Sequence, residues 1–337
     1  MTTIELPFRT WTGVACVVMS VMWHSDASVA GIVTFGSGGN AFNMEFVAIG
    51  NAGNADDTTG NPTVAGKVDY AYQMGKFEVS EDMITKYNAN FGTANSLAIT
   101  KDTRGVNKPA TSVSWNEAAR FVNWLNTSSN FQAAYNFTTN GVNDNIALWT
   151  SAQAWQTGGK NLFRHKDAHF WLPSMDEWYK AAYYDPTANG GMGGYFNFPN
   201  GSDMAPMAVA SGTAANTAVY NGQSGPADIM SAGGLSPYGI MGLGGNAYEW
   251  EETAFSLNNS SGSSARGIRG GNWAGLGSNN LSSSIRFSDD PANEFVSVGF
   301  RVASLSSDAV AVPEPSSLIM FSTMALSALW YRKRLRK

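Results

Sequence analysis

Gly245-Asn246-Ala247-Tyr248-Glu249-Trp250 is a short aromatic island that opens on glycine and asparagine, and it reads as a brief strand leaving a turn. From Ala188 onward its surroundings lack helical periodicity and are dominated by Gly, Asn and Ser. Tyr238-Gly239-Ile240-Met241 and Gly299-Phe300-Arg301-Val302 have the same character, so short strands separated by long loops are predicted there. Loops of that length are uncommon in compact domains unless they are functional or pinned by a ligand. No internal repeat points to a solenoid or propeller.

The preceding half is built differently. Phe46-Val47-Ala48-Ile49 and the segment Tyr70 to Val79 read as strands, and Ser80 caps a short helix carrying Met83, Ile84 and Tyr87 at helical spacing. Ser114 and Glu117 stand three apart as a capping box, with Trp115, Ala118, Ala119, Val122 and Leu125 on one face. Ser174 and Glu177 repeat the device ahead of Trp178, Ala181 and Ala182, behind Pro173. Glu117 and Glu177 therefore have a structural role and are not proposed as catalysts. Residues 127 to 168, rich in Asn, Thr and Ser, read as an irregular excursion.

The chain has 337 residues, of which only 14% are charged, with 36 Gly and 11 Trp. That composition excludes an acidic disordered chain and a coiled coil. Its two ends read as addresses. Arg9 precedes an apolar run from Trp11 to Trp23, and Ser28-Val29-Ala30 supplies a cleavage site, so residues 1–30 read as a secretory signal; a buried first helix is the alternative. Val312-Pro313-Glu314-Pro315, an apolar stretch from Ser316 to Tyr331 and a basic end through Lys337 follow the body. Residues 312–337 resemble the PEP-CTERM sorting signal of Gram-negative bacteria, with an ordinary tail anchor as the alternative. The resemblance implies transient inner-membrane anchoring by a short transmembrane helix, cleavage by an exosortase-type enzyme, and delivery to the cell-envelope surface or the exterior.

Between residues 31 and 312 there are 15 basic and 23 acidic side chains, a formal charge of −8 that makes a poor partner for nucleic acid. The only cysteine, Cys16, lies in the signal, so the body has no disulfide, thiol nucleophile or zinc–thiolate site.

Four segments in order resemble the formylglycine-generating enzyme, or sulfatase-modifying factor, family: Val113 to Ala118, Trp171 to Trp178, Tyr238-Gly239 through Gly245 to Trp250, and Arg269-Gly270-Gly271-Asn272-Trp273 with Gly299-Phe300-Arg301. The resemblance covers a core of 42–304 within a domain of 31–311. It implies an α+β class and that family's variant of the C-type-lectin-like fold, loop-rich with few short strands and helices. Family enzymes oxidise a substrate cysteine with a cysteine pair of their own that binds copper. Those positions fall here on Gly275 and Asn280, neither of which binds a soft metal or relays electrons, so no copper and no formylglycine-generating oxidase activity are expected.

Calcium is the metal the resemblance does imply, as a structural ion. Its ligands would be the Gly245 and Ala247 carbonyls and the Glu249 carboxylate, with Gly242 departing from the usual Asp or Asn; a second site would use Asn216 and the Thr217 carbonyl, with Asp228 loosely placed. The alternative for Glu249 is hydrogen bonding to loop amides. His165 and His169 stand four apart and would share a helix face as metal ligands sometimes do, or else are surface polar residues. There is no Gly-x-Ser-x-Gly elbow, and Asp289-Asp290-Pro291 reads as a solvated turn.

Two functional classes follow. A noncatalytic binding module would present Asn272, Trp273, Asn279, Asn280, Arg286 and Asp289 around the former active-site groove, the stretch that related lectin-like proteins use for ligand display. An aromatic face with amides suits carbohydrate, and extracellular polysaccharide is the expected partner. An enzyme with unrecognised chemistry would use Arg269, Arg286 or Asp289 in the same groove, and a structural role in an extracellular matrix is a third reading.

Overall fold

A computed structural model of the chain describes residues 31–306. The predicted secretory signal with Cys16, and the predicted sorting signal with its apolar stretch, lie outside the described residues. Among the described residues no helix is long and apolar enough to cross a membrane.

The first sheet has five antiparallel strands, β1 (Gly31–Phe35), β2 (Phe42–Ile49), β3 (Tyr72–Gly75), β4 (Phe170–Trp171) and β9 (Ala303–Leu305), in the order β1-β2-β3-β9-β4. Period-2 alternation explains β2: Phe42, Met44 and Phe46 are buried and Asn43 is exposed. The register joins the ends of the domain, with Phe35 opposite Phe42, Met74 opposite Ala303, and Ala303 opposite Trp171. The second sheet has four strands, β5 (Tyr248–Ala254), β6 (Arg266–Arg269), β7 (Phe287–Asp289) and β8 (Val298–Gly299), in the order β7-β6-β5-β8. β5 pairs antiparallel with β6 and parallel with β8, and a register shift interrupts the β5–β6 ladder between Trp250 and Ala254.

Among the described residues three helices are of seven residues or longer. α1 (Glu81–Tyr87) starts at Ser80, whose hydroxyl accepts from Met83 N. α2 (Trp115–Ser128) and α3 (Met175–Tyr183) both start with complete capping boxes. Every residue of the predicted apolar face of α2 is buried, and its Phe121 and Trp124 rings lie 6.2 and 5.9 Å from Phe42 of β2. Tryptophans tie helix to sheet through their N–H groups: Trp115 donates to Glu251 O, Trp250 to Val113 O, and Trp171 to Glu177. With α-helices segregated from mainly antiparallel sheets and much irregular chain, the class is α+β, as expected.

Three local expectations are corrected. Tyr238-Gly239-Ile240-Met241 is a turn, closed by Gly239 N to Ser236 O and Ser236 N to Ile240 O, with Gly239 at a positive φ of 87°. The 127–168 excursion contains a hairpin, Ala154–Trp155 against Asn161–His165. His165 ends that hairpin and His169 stacks on Phe131, so the two share no helix face.

Candidate functional site

Trp250 is followed by two more glutamates, and the sequence Glu249-Trp250-Glu251-Glu252 places three carboxylates on β5, all fully buried. Buried charge persists only when it is paired and hydrogen-bonded. Each here has an arginine. Glu251 accepts from Arg269 Nε at 2.7 Å and from Arg286 Nε at 2.8 Å. Glu252 and Glu177 share Arg164, with contacts of 2.6 and 3.0 Å. Burial pushes both upward; Arg164 outweighs it at Glu177, which ends below the usual range, whereas Glu252 remains above it. Glu249 is forked by Arg301, Nε to Oε2 and Nη2 to Oε1 at 2.6 Å each, and Trp178 Nε1 adds a third donor at 2.7 Å.

This arrangement does not fit the calcium site that the sequence suggested. Glu249 already has a full cationic partner, and the turn at Gly242 supplies no side-chain ligand. A Cβ at Gly242 would stand 3.2 Å from the Glu78 carboxyl, so Glu78 fills the space where that ligand would begin. Asn216 stands apart and exposed at a positive φ of 59°, its side-chain oxygen accepting from Asn200, and Asp228 pairs with Lys108 at 3.0 Å. Among the described residues no group of three or more His, Cys, Asp or Glu is placed to hold a metal ion. The Gly245 and Ala247 N–H groups donate to Gly270 O and to Glu78 Oε1. Between them Asn246 is fully buried, donating from Nδ2 to Glu78 and accepting from Ala227 N, and so pins three loops with one side chain.

The groove residues divide. Asn272 accepts from Ala274 N and Gly275 N, shaping the loop that carries the former cysteine positions. A Cβ on Gly275 would lie 3.4 Å from Asn280 Nδ2, so these positions do face each other, without thiols. Trp273 is only 6% exposed, packs with Val219 and Ala227, and carries the Arg104 guanidinium 4.7 Å from its ring centre. It offers no open face for a sugar. Arg286 and Arg269 are buried in the Glu251 pair and are equally withdrawn from ligand or substrate. Asn279 is exposed, Asn280 half-buried, and Asp289 half-buried with its Oδ1 accepting from Asp290 N and Asn293 Nδ2.

Asp289 nonetheless borders an open trough that the sequence reading missed. Tyr248, Ile268, Phe287 and Val298, one from each strand of the second sheet, line it with Phe295, enclosing about 300 Å³. Phe287 is 44% exposed, and its ring meets Tyr248 edge-on at 5.6 Å. The available signal was the pair Phe287 and Phe295 flanking Asp289 in a polar stretch.

The sulfatase-modifying factor enzyme 1-like domain family matches residues 33–305. Among solved structures, variable protein 1 of Treponema denticola is 20% identical, with 81% of this chain and 99% of that one covered at a TM-score of 0.53. CarF is 18% identical, with 78% of this chain and 98% of that one covered at a TM-score of 0.52. No curated protein sequence matches significantly. At these identities the structures show the shared fold alone, and the family match, which spans most of the chain and contains every segment that first suggested it, places the chain in the sulfatase-modifying factor enzyme 1-like domain family.

Proposed function

We propose that the chain is an exported, surface-sorted and noncatalytic member of its family, which binds extracellular polysaccharide in the Tyr248–Phe287–Phe295 trough. One observation carries this reading: the facing positions Gly275 and Asn280 hold no redox-active group, while the second sheet displays the exposed Phe287 ring, with half-buried Tyr248 and Phe295, beside a carboxylate. Aromatic faces cover the C–H side of a sugar ring, and the Ser288 and Asp289 oxygens, which line the trough, would bond hydroxyls. Export is supported by the sequence alone, in which Arg9, the apolar run Trp11 to Trp23 and Ser28-Val29-Ala30 follow the order of a secretory signal. Exosortase-type processing at the Pro-Glu-Pro motif then releases the body from the inner membrane.

The test is a glycan array followed by calorimetry on the purified protein and its Phe287→Ala variant. The expected result is saccharide binding weakened at least tenfold by the substitution. Equal binding by both proteins removes the trough as the site. Formation of aldehyde on a cysteine peptide with copper and oxygen overturns the noncatalytic assignment.

A further inference from the structure

A second concavity shares no lining residue with the trough. It opens between the segment before β3, the 154–165 hairpin and the first turn of α3, and encloses about 200 Å³. That is below the range of roughly 300–1,000 Å³ for drug-sized ligands and suits one small ring. Tyr70 and Trp155 form an aromatic wall, edge to face at 5.2 Å. Arg164 at the base is held by Glu177 and Glu252 and brings no free charge.

The groups left over are of several kinds. Lys160 is exposed and has no ion-pair partner among the described residues, and Lys67 stands 3.6 Å from Asp69. Asp176 accepts from Gly66 N–H with Oδ1 at 2.7 Å, leaving Oδ2 without a donor among the described residues. Thr253 Oγ1 accepts from Met175 N at 3.0 Å, and its own proton remains to be donated. The Trp155 indole N–H is buried without an acceptor among the described residues.

We propose that this cleft binds a uronic acid unit, its carboxylate on Lys160, its hydroxyls on Asp176 and Thr253, and one face of the ring on Tyr70 and Trp155. A neutral sugar leaves the Lys160 ammonium unused. A compact inorganic anion gains nothing from the aromatic wall and meets Asp69 and Asp176. A uronate supplies anion, hydroxyls and an apolar face together. The assignment does not depend on the trough.

The experiment is a calorimetric or saturation-transfer titration of the full protein with glucuronate, galacturonate, glucose and acetate, using wild type, Lys160→Ala, Trp155→Phe and Phe287→Ala. The expected result is that a uronate binds at least tenfold more tightly than glucose or acetate. Lys160→Ala abolishes that preference, Trp155→Phe weakens binding, and Phe287→Ala leaves it unchanged. Binding of glucose equal to uronate, binding of acetate equal to uronate, an unaltered Lys160→Ala, or no binding at all each overturns the proposal. A loss confined to Phe287→Ala assigns the uronate to the trough and overturns the cleft.

Discussion

Gly267 on β6 owes its identity to space. A Cβ there would stand 1.9 Å from Glu251 Oε2 and 2.5 Å from Arg286 Nη2, so any side chain displaces the carboxylate from the arginine. Breaking a buried pair leaves uncompensated charge and typically costs about 3–5 kcal/mol. Gly267→Ala is therefore expected to lower unfolding stability by about that amount in urea titration, whereas Gly275→Ala, whose added methyl meets nothing closer than 3.4 Å, changes it by no more than about 0.5 kcal/mol. The same residue scale shows what a sequence conceals. Glu249 was legible as part of a motif, but its partner Arg301 lies 52 residues on, and only folding reveals that the carboxylate answers an arginine and not a cation from solution. Trp273 was legible as an aromatic in the right loop, yet Val219 and Ala227, which bury it, come from a segment about fifty residues earlier.

At the level of elements, legibility follows how locally each one is determined. The helices were readable because caps and periodicity lie within one or two turns of chain: Ser114 Oγ accepts from Glu117 N at 3.1 Å and Glu117 Oε2 from Ser114 N at 2.9 Å. Ser114 Oγ also donates to Asn143 Oδ1 at 2.7 Å, so one hydroxyl caps α2 and anchors the following excursion. Ser114→Ala is expected to cost about 1–2 kcal/mol, seen as a lower urea midpoint with an unchanged slope. The strands of the C-terminal half resist reading because several are only two to four residues long and depend on distant partners, as β8 does on β5 and β9 on β3. The aromatic trough escaped for that reason: its four strand residues become neighbours only once β5 to β8 have paired.

The whole molecule carries an unusual store of buried carboxyl groups, and their balance sets how stability depends on pH. Glu78 is pushed up to about 8 by burial and then by the neighbouring Glu249, against the pull of Arg301, Asn246 and the Ala247 N–H. Burial likewise lifts Glu117 to about 7 and Asp176 to about 6. A carboxyl with a raised native pKa binds its proton more tightly when folded, so its contribution is full below the unfolded value and is lost as pH rises through the native value. Glu177 works in the opposite sense below its ordinary range, where protonation breaks its bond to Arg164, and His165 and His169, lowered by burial, favour the folded state as pH rises toward their ordinary value. With Glu252 also held above its ordinary range by burial, four raised carboxyls outweigh the two lowered imidazoles, so the maximum is expected near pH 5, with the melting temperature falling toward pH 8. Glu78→Gln separates the largest contributor. It gives up one of the two acceptors that meet Asn246 and Ala247, which lowers stability at pH 5, but it cannot ionise beside Glu249, so its decline between pH 5 and 8 is shallower than that of the wild type. Parallel wild-type and variant slopes in thermal melts across that range would show that Glu78 does not carry the pH dependence.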